Sequence, residues 1–172
     1  MENLINNLDR TRAQTLALIE TLDDDTFGKR PVPERWSVAE VIHHLTIVEN
    51  TIIGGIKQKL QEPPQRLSLV RRLTQPPLRL LVTNRFVRVK SPARAEPLNP
   101  PATKRETLDN FTQTREELNT LTREAGRARL DEIVLPHPFL GDYSGTQFTR
   151  FAGYHEQRHI KQIKEIVKQL AT

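Results

Sequence analysis

The stretch SGTQFTRFAGYHEQRHIKQIKEIVKQL, residues 144–170, decides the fold. Ser144 followed three residues later by Gln147 is a capping box, in which each side chain satisfies an amide of the first helical turn. Phe148, Phe151, Ala152, Ile163, Ile166 and Leu170 then recur at helical spacing, which predicts an amphipathic helix of about seven turns. A helix with one apolar stripe must bury it against others. By wheel arithmetic His155 and His159 both lie within about 40° of the stripe's centre, so they point into whatever covers it.

Three further segments supply the partners. Leu4, Ile5, Leu8, Leu18, Ile19 and Leu22, with Thr11 and Thr15 between them, predict a first helix that ends at Asp23-Asp24-Asp25 and Pro31-Val32-Pro33. Ser37 and Glu40 form a capping box for a second helix running to about Leu60, with Val38, Val41, Ile42, Leu45, Val48, Ile52 and Ile56 as its stripe. Its Gly54-Gly55 pair disfavours helix by about 1 kcal/mol per glycine and marks a close approach or a bend. Thr103 and Glu106 read as another capping box and start a third helix, carried to about Ala125 by Leu108, Phe111, Leu118 and Leu121. Leu130 to Tyr143, with Pro136, Pro138 and Gly141, reads as a connector without a strand pair. The expectation is an all-α chain, one four-helix bundle domain over residues 1–172, with a proline-rich, basic connection over 63–102 between helices two and three.

That connection holds eight of the twelve prolines, so only short helices and loops fit it. From Pro63 to Ala95 there are eight basic residues (Arg66, Arg71, Arg72, Arg79, Arg85, Arg88, Lys90, Arg94) and no acid, which leaves −3 for the remainder of a chain of net charge +5. Such a segment suits a nucleic-acid or anionic surface, but its single aromatic, Phe86, makes no stacking platform. Leucines and valines interleave with the arginines, and a lid with solvated charges is the expectation. A basic lid over a site favours an anionic substrate. Neither nucleic acid nor membrane is expected as a partner, and homodimerisation is compatible with the pattern. The start of the chain carries no signal-peptide pattern, and no 18-residue apolar run occurs, so a cytoplasmic location is expected.

With no cysteine among 172 residues, a disulfide scaffold, a thiolate metal site and a cysteine nucleophile are all excluded. Metal chemistry must use histidine and carboxylate. The two inward imidazoles of His155 and His159 need partners, because an unpaired buried polar group costs about 1–3 kcal/mol. A shared metal ion is one solution, and hydrogen bonds to side chains or water are another. His44 lies at the edge of the helix-two stripe and can complete a three-histidine site with open positions; His43 faces away, and His137, between two prolines, reads as a loop residue. Residues 155–159 also spell H-E-x-x-H, the zincin pattern, but only thirteen residues follow and no strand-rich region precedes them to hold a peptide. A di-iron site fails because Glu40-x-x-His43, the second E-x-x-H, points outward. Glu156 and Glu49 lie near their apolar stripes and read either as groups that orient a ligand or shuttle a proton, or as paired structural carboxylates.

The blocks Trp36 to Glu49, with W-S-V-A-E-V-I-H-H-L, and His137 to Ile163, with H-x-x-x-H-x-x-Q-I, resemble the DinB-like family, also called DinB/YfiT-like. His137-Pro138-Phe139-Leu140-Gly141 is similar to that family's lead-in to its last helix. The resemblance implies a four-helix bundle in which His44, His155 and His159 bind one divalent ion, with zinc, nickel, iron and manganese as candidates. It implies transfer of a low-molecular-weight thiol cosubstrate to a small electrophile, or hydrolysis; the wheel positions offer Glu156 or Glu49 to orient a ligand or shuttle a proton there. A non-enzymatic bundle that binds a polyanion through its basic segment is the competing class. Because imidazole must be neutral to ligate, metal affinity is expected to fall towards pH 6 or so.

Overall fold

A computed structural model describes residues 1–75, 77–83, 95–98, 100, 103–137 and 140–171, apart from the side chains of Leu69, Arg72 and Leu73. Four long helices, α1 (Glu2–Glu20), α3 (Val38–Leu60), α6 (Lys104–Leu130) and α7 (Gly145–Leu170), form a four-helix bundle. Among the described residues α3 packs on α6 and α7, and α1 packs on α7 and α6. Short helices α2 (Asp24–Gly28), α4 (Leu69–Thr74) and α5 (Leu78–Thr83) lie in the connections, and α5 covers part of α7. Asp23, expected to stop the first helix, also starts the next, accepting from the Thr26 amide at 2.7 Å.

The caps position the bundle. Both halves of the capping box form at Ser37/Glu40 and at Ser144/Gln147, whereas at α6 the Thr103 hydroxyl accepts from the Glu106 amide alone. Gly126 (φ 68°) kinks α6 one residue beyond the expected end, after which a last turn reaches Leu130. Glycine alone enters that left-handed region without strain.

The expectation of no strand pair is corrected. Val134–His137 (β1) and Gly141–Ser144 (β2) pair antiparallel, with Val134 opposite Ser144 and His137 opposite Gly141. Four-residue strands are too short to show a clear alternation, and pairing satisfies backbone groups that a loop packed on the bundle would bury unmet. Gly141 (φ 84°) turns the chain, and Leu135 and Tyr143 face the core. The hairpin also explains Gly55. A Cβ there would lie 2.8 Å from Leu135 Cδ2, so the glycine admits the hairpin while α3 runs on unbroken.

Among the described residues the apolar interior falls into two clusters. One gathers Leu8, Ile52, Leu118 and Phe151, and the other Ile19, Leu45, Phe111 and Ile163. On each of the four helices a buried charged residue lies between the two sets: Arg12, Glu49, Arg115 and Glu156. Of the basic connection, Arg85, Arg88, Lys90 and Arg94 lie outside the described residues, as do Phe86, Pro138 and Phe139.

Candidate metal centre

His44 stands two turns into α3, and His155 and His159 stand one turn apart on α7, so the α3–α7 contact brings the three together. One ring nitrogen from each lies within 4.8 Å of the others, and no carboxylate joins the group among the described residues. His155 Nε2 and His159 Nε2 are 3.2 Å apart. Two nitrogens each about 2.0–2.1 Å from a tetrahedral ion sit about 3.3 Å apart, so the pair is already spaced to share one. The remaining nitrogens of two rings are occupied: His44 Nδ1 is 2.6 Å from the Ala95 carbonyl oxygen and His159 Nδ1 is 2.9 Å from Gln162 Oε1. Trp36 packs 5.0 Å from His44, and Phe151 stacks on His155 at 5.3 Å with the rings 14° from parallel. The donor set, its spacing and its aromatic walls fit a single divalent ion with open positions.

All three imidazoles are held below the ordinary histidine range, first by burial. The Ala95 carbonyl pulls His44 up and the charge of His43 pushes it down. His155 is lowered further by His44, Arg158 and His137, and His159 by His155 and His44, against a hydrogen bond to the Gln162 side-chain carbonyl that raises it and with Arg158 lowering it again. No acid appears among the causes. The unfolded chain therefore takes up protons at about pH 6.5, where the folded rings stay neutral, so stability is full above that pH and falls as pH drops through the window below it. The expected loss of metal near pH 6 moves lower for the same reason. In titrations downward from pH 8, urea stability of metal-free protein should begin to decline near pH 6.5, and metal affinity of the folded protein should begin to fall only at a lower pH. A parallel decline of both would contradict the depressed imidazoles.

Glu49 and Glu156 stand in a different arrangement from that expected of proton shuttles. Arg12 Nη2 donates to Glu49 Oε2 at 2.9 Å and Arg12 Nε to Glu156 Oε1 at 3.2 Å. Arg115 donates through Nε to Glu49 Oε1 at 3.0 Å and through Nη2 to Glu156 Oε2 at 2.7 Å. Thr15 adds a hydroxyl to Glu156 Oε1 at 2.6 Å. Two guanidiniums and two carboxylates form a neutral layer that joins all four helices, with Glu156 only 1% exposed and Arg115 2%. Arg12 also lies over Phe111, 3.2 Å from its centroid, and Arg115 Nη1 donates to the Leu8 carbonyl at 2.6 Å. Burial first, with repulsion from Arg115, holds Arg12 low against Glu49 and Glu156, which raise it; for Arg115 the same two carboxylates outweigh burial. Each carboxylate oxygen already accepts from a guanidinium, which is the geometry of paired structural carboxylates.

Other candidates stay apart from the cluster. His43 is half-buried and outside it, and Glu40 closes the α3 capping box and pairs with Arg30 at 2.8 Å. His137 ends β1, its ring 5.0 Å from Phe151, and accepts from the Leu140 amide at 3.2 Å. Of the basic segment, Arg66 pairs with Glu132 at 2.5 Å, and the Arg71 guanidinium packs so closely on Gly141 that a Cβ there would collide with it. Sequence reasoning missed Arg12 and Arg115 as core residues, although Arg12 is four residues from Leu8 and Arg115 four from Phe111, both on apolar faces. It missed Gln162 as a partner too, one turn past His159. No sequence signal pointed to the Ala95 carbonyl.

Residues 7–163 match the model of the DinB superfamily. The chain belongs to the DinB superfamily. The uncharacterized protein YuaE of Bacillus subtilis (strain 168) is 26% identical over 159 residues, covering 92% of this chain and 94% of that protein. Two solved structures share the fold. YfiT from Bacillus subtilis, described as a probable metal-dependent hydrolase with an unusual four-helix bundle topology, superposes with a TM-score of 0.66 at 14% identity, covering 99% of this chain and 87% of YfiT. TT2238, described as a four-helix bundle protein, gives 0.63 at 20% identity over 95% of this chain and 98% of its own. Within this DinB-superfamily bundle the described residues include no helix long and apolar enough to cross a membrane.

Proposed function

We propose that this DinB-superfamily protein is a divalent-metal-dependent enzyme that transfers a small thiol to an electrophilic small molecule, with the ion held by His44, His155 and His159. The convergence of three imidazoles, His44 and His159 buried and His155 half-buried, without a carboxylate among the described residues carries the reading. A divalent ion held there would supply a Lewis acid that lowers the pKa of a coordinating thiol or water, the proton leaving to solvent. The nearby glutamates are engaged by arginines, so no free carboxylate base is at hand among the described residues. That favours the thiol, whose ordinary pKa of about 8.5 leaves little proton removal for a base to assist. Trp36 and Phe151 give the site apolar walls.

Among the described residues no carboxylate joins the three imidazoles. With neutral ligands the ion keeps its full charge, which favours an anionic substrate or cosubstrate. The test loads metal-free protein separately with zinc, nickel, manganese and ferrous iron, then screens small thiols against electrophiles and, without thiol, against esters and amides. Thiol-dependent turnover abolished by chelator is expected. Turnover without thiol would turn the assignment to hydrolysis, the activity attributed to YfiT. No turnover, together with polyanion binding that falls steeply with salt and ignores chelator, would replace the enzyme reading with a binding module. Reversing charge at Arg71 and Arg79 should raise the apparent KM for an anionic substrate, and an unchanged KM would remove the basic segment from recognition.

A further inference from the structure

The outer nitrogens of the histidine cluster point to a device that goes deeper than the ligands, and it rests on the metal reading above. A carbonyl oxygen can only accept a hydrogen bond. The 2.6 Å contact between His44 Nδ1 and the Ala95 carbonyl therefore places the proton on Nδ1 and leaves the Nε2 lone pair free. The same logic applies to His159, whose Nδ1 lies 2.9 Å from Gln162 Oε1 and whose Nε2 faces His155. We propose that Gln162 is a positioning residue of the metal centre: its side-chain carbonyl holds His159 as the Nδ1–H tautomer, as the Ala95 carbonyl holds His44, so that both Nε2 lone pairs converge before an ion arrives.

The local geometry makes this possible. Gln162 follows His159 by three residues on α7, close to one turn, so its carboxamide reaches the ring edge turned away from His155. His159 is buried, and an imidazole nitrogen without a partner there would be penalised, which ties the orientation of the ring to the amide. Both acceptors are neutral. Unlike a carboxylate, they orient the imidazoles without adding negative charge beside the ion, in keeping with a site that takes an anionic exogenous ligand. Ala95 also makes the end of the proline-rich connection part of the site, since displacing that carbonyl frees His44 to turn or to exchange tautomers.

The experiment compares wild type, Gln162→Leu and Gln162→Glu. Ring-nitrogen 15N spectra of metal-free protein at pH 8 read the tautomers, calorimetric titration with zinc and nickel reads affinity, and urea unfolding reads stability. In wild type His44 and His159 should carry the proton on Nδ1. Gln162→Leu should move His159 away from that tautomer, leave His44 in it, and weaken metal binding about 10–100-fold, the usual effect of losing an outer-shell partner. Gln162→Glu, which keeps an acceptor at the same reach, should restore the His159 tautomer and hold affinity within tenfold of wild type or above it. Wild-type spectra with the His159 proton on Nε2 would overturn the proposal, as would a Gln162→Leu protein with unchanged affinity. A fall in stability with unchanged tautomer and affinity would reduce Gln162 to a packing role and overturn it equally. If wild type takes up no ion, the metal reading falls, and the 15N spectra still decide the tautomer assignment.

Discussion

Arg115→Ala is expected to lower the stability of the protein by about 3–5 kcal/mol, the usual effect of leaving a buried charge without its partner. Arg115 bridges Glu49 and Glu156 and caps the Leu8 carbonyl, so its loss leaves two buried carboxylates with Arg12 as their remaining guanidinium. Against a total of about 5–15 kcal/mol for a typical domain, such a loss leaves a marginal bundle. Glu156→Ala should act similarly, since it strands parts of both arginines and the Thr15 hydroxyl. Replacing Arg12, Glu49, Arg115 and Glu156 together by Met or Leu should, by contrast, be neutral or stabilising by about 1–4 kcal/mol, because the desolvation of four charges disappears with their attraction. Urea unfolding of the single and fourfold variants checks both statements. A single variant that loses less than about 1 kcal/mol would mean that water reaches the layer and that the charges are not confined as described.

His44→Ala and His159→Ala are each expected to reduce bound metal from about one equivalent to none after dialysis, as measured by elemental analysis of protein without a histidine tag. Removing one of three ligands should exceed the roughly 10–100-fold penalty of losing an outer-shell partner. His43→Ala supplies the control, because its ring lies next to the site in sequence but outside the cluster. Metal retained in His44→Ala would exclude α3 from the centre and leave α7 alone with its two imidazoles. The three variants should fold, since the four-helix ionic layer and both apolar clusters stay intact in each. Metal-free variants with unchanged turnover would separate metal binding from catalysis altogether.

The helices were legible because their signals are local. Ser37 with Glu40 and Ser144 with Gln147 announce α3 and α7 within four residues, and both boxes form as read. The hairpin was not legible, because four residues of strand at Val134–His137 depend on a partner strand and on the space that Gly55 leaves on α3. The two glutamates show the same limit. Their wheel positions said that Glu49 and Glu156 face inward, but an inward carboxylate serves equally well as a base beside an ion or as one corner of an ionic layer. Arg12 and Arg115 decide between them, and they lie between 37 and 144 residues away along the chain from the glutamates they meet.

By itself the sequence determined the helical periods, the caps, the lack of any cysteine in the chain and the one-turn spacing of His155 and His159, none of which depends on how separate helices pack. Only the tertiary structure decided that His44 meets that pair, that Ala95 and Gln162 hold the outer ring nitrogens, and that four charges cancel in a layer between two apolar cores. Periodicity fixes which way a side chain faces, but its partner is set by the packing of separate helices, whose axial register no short-range pattern encodes.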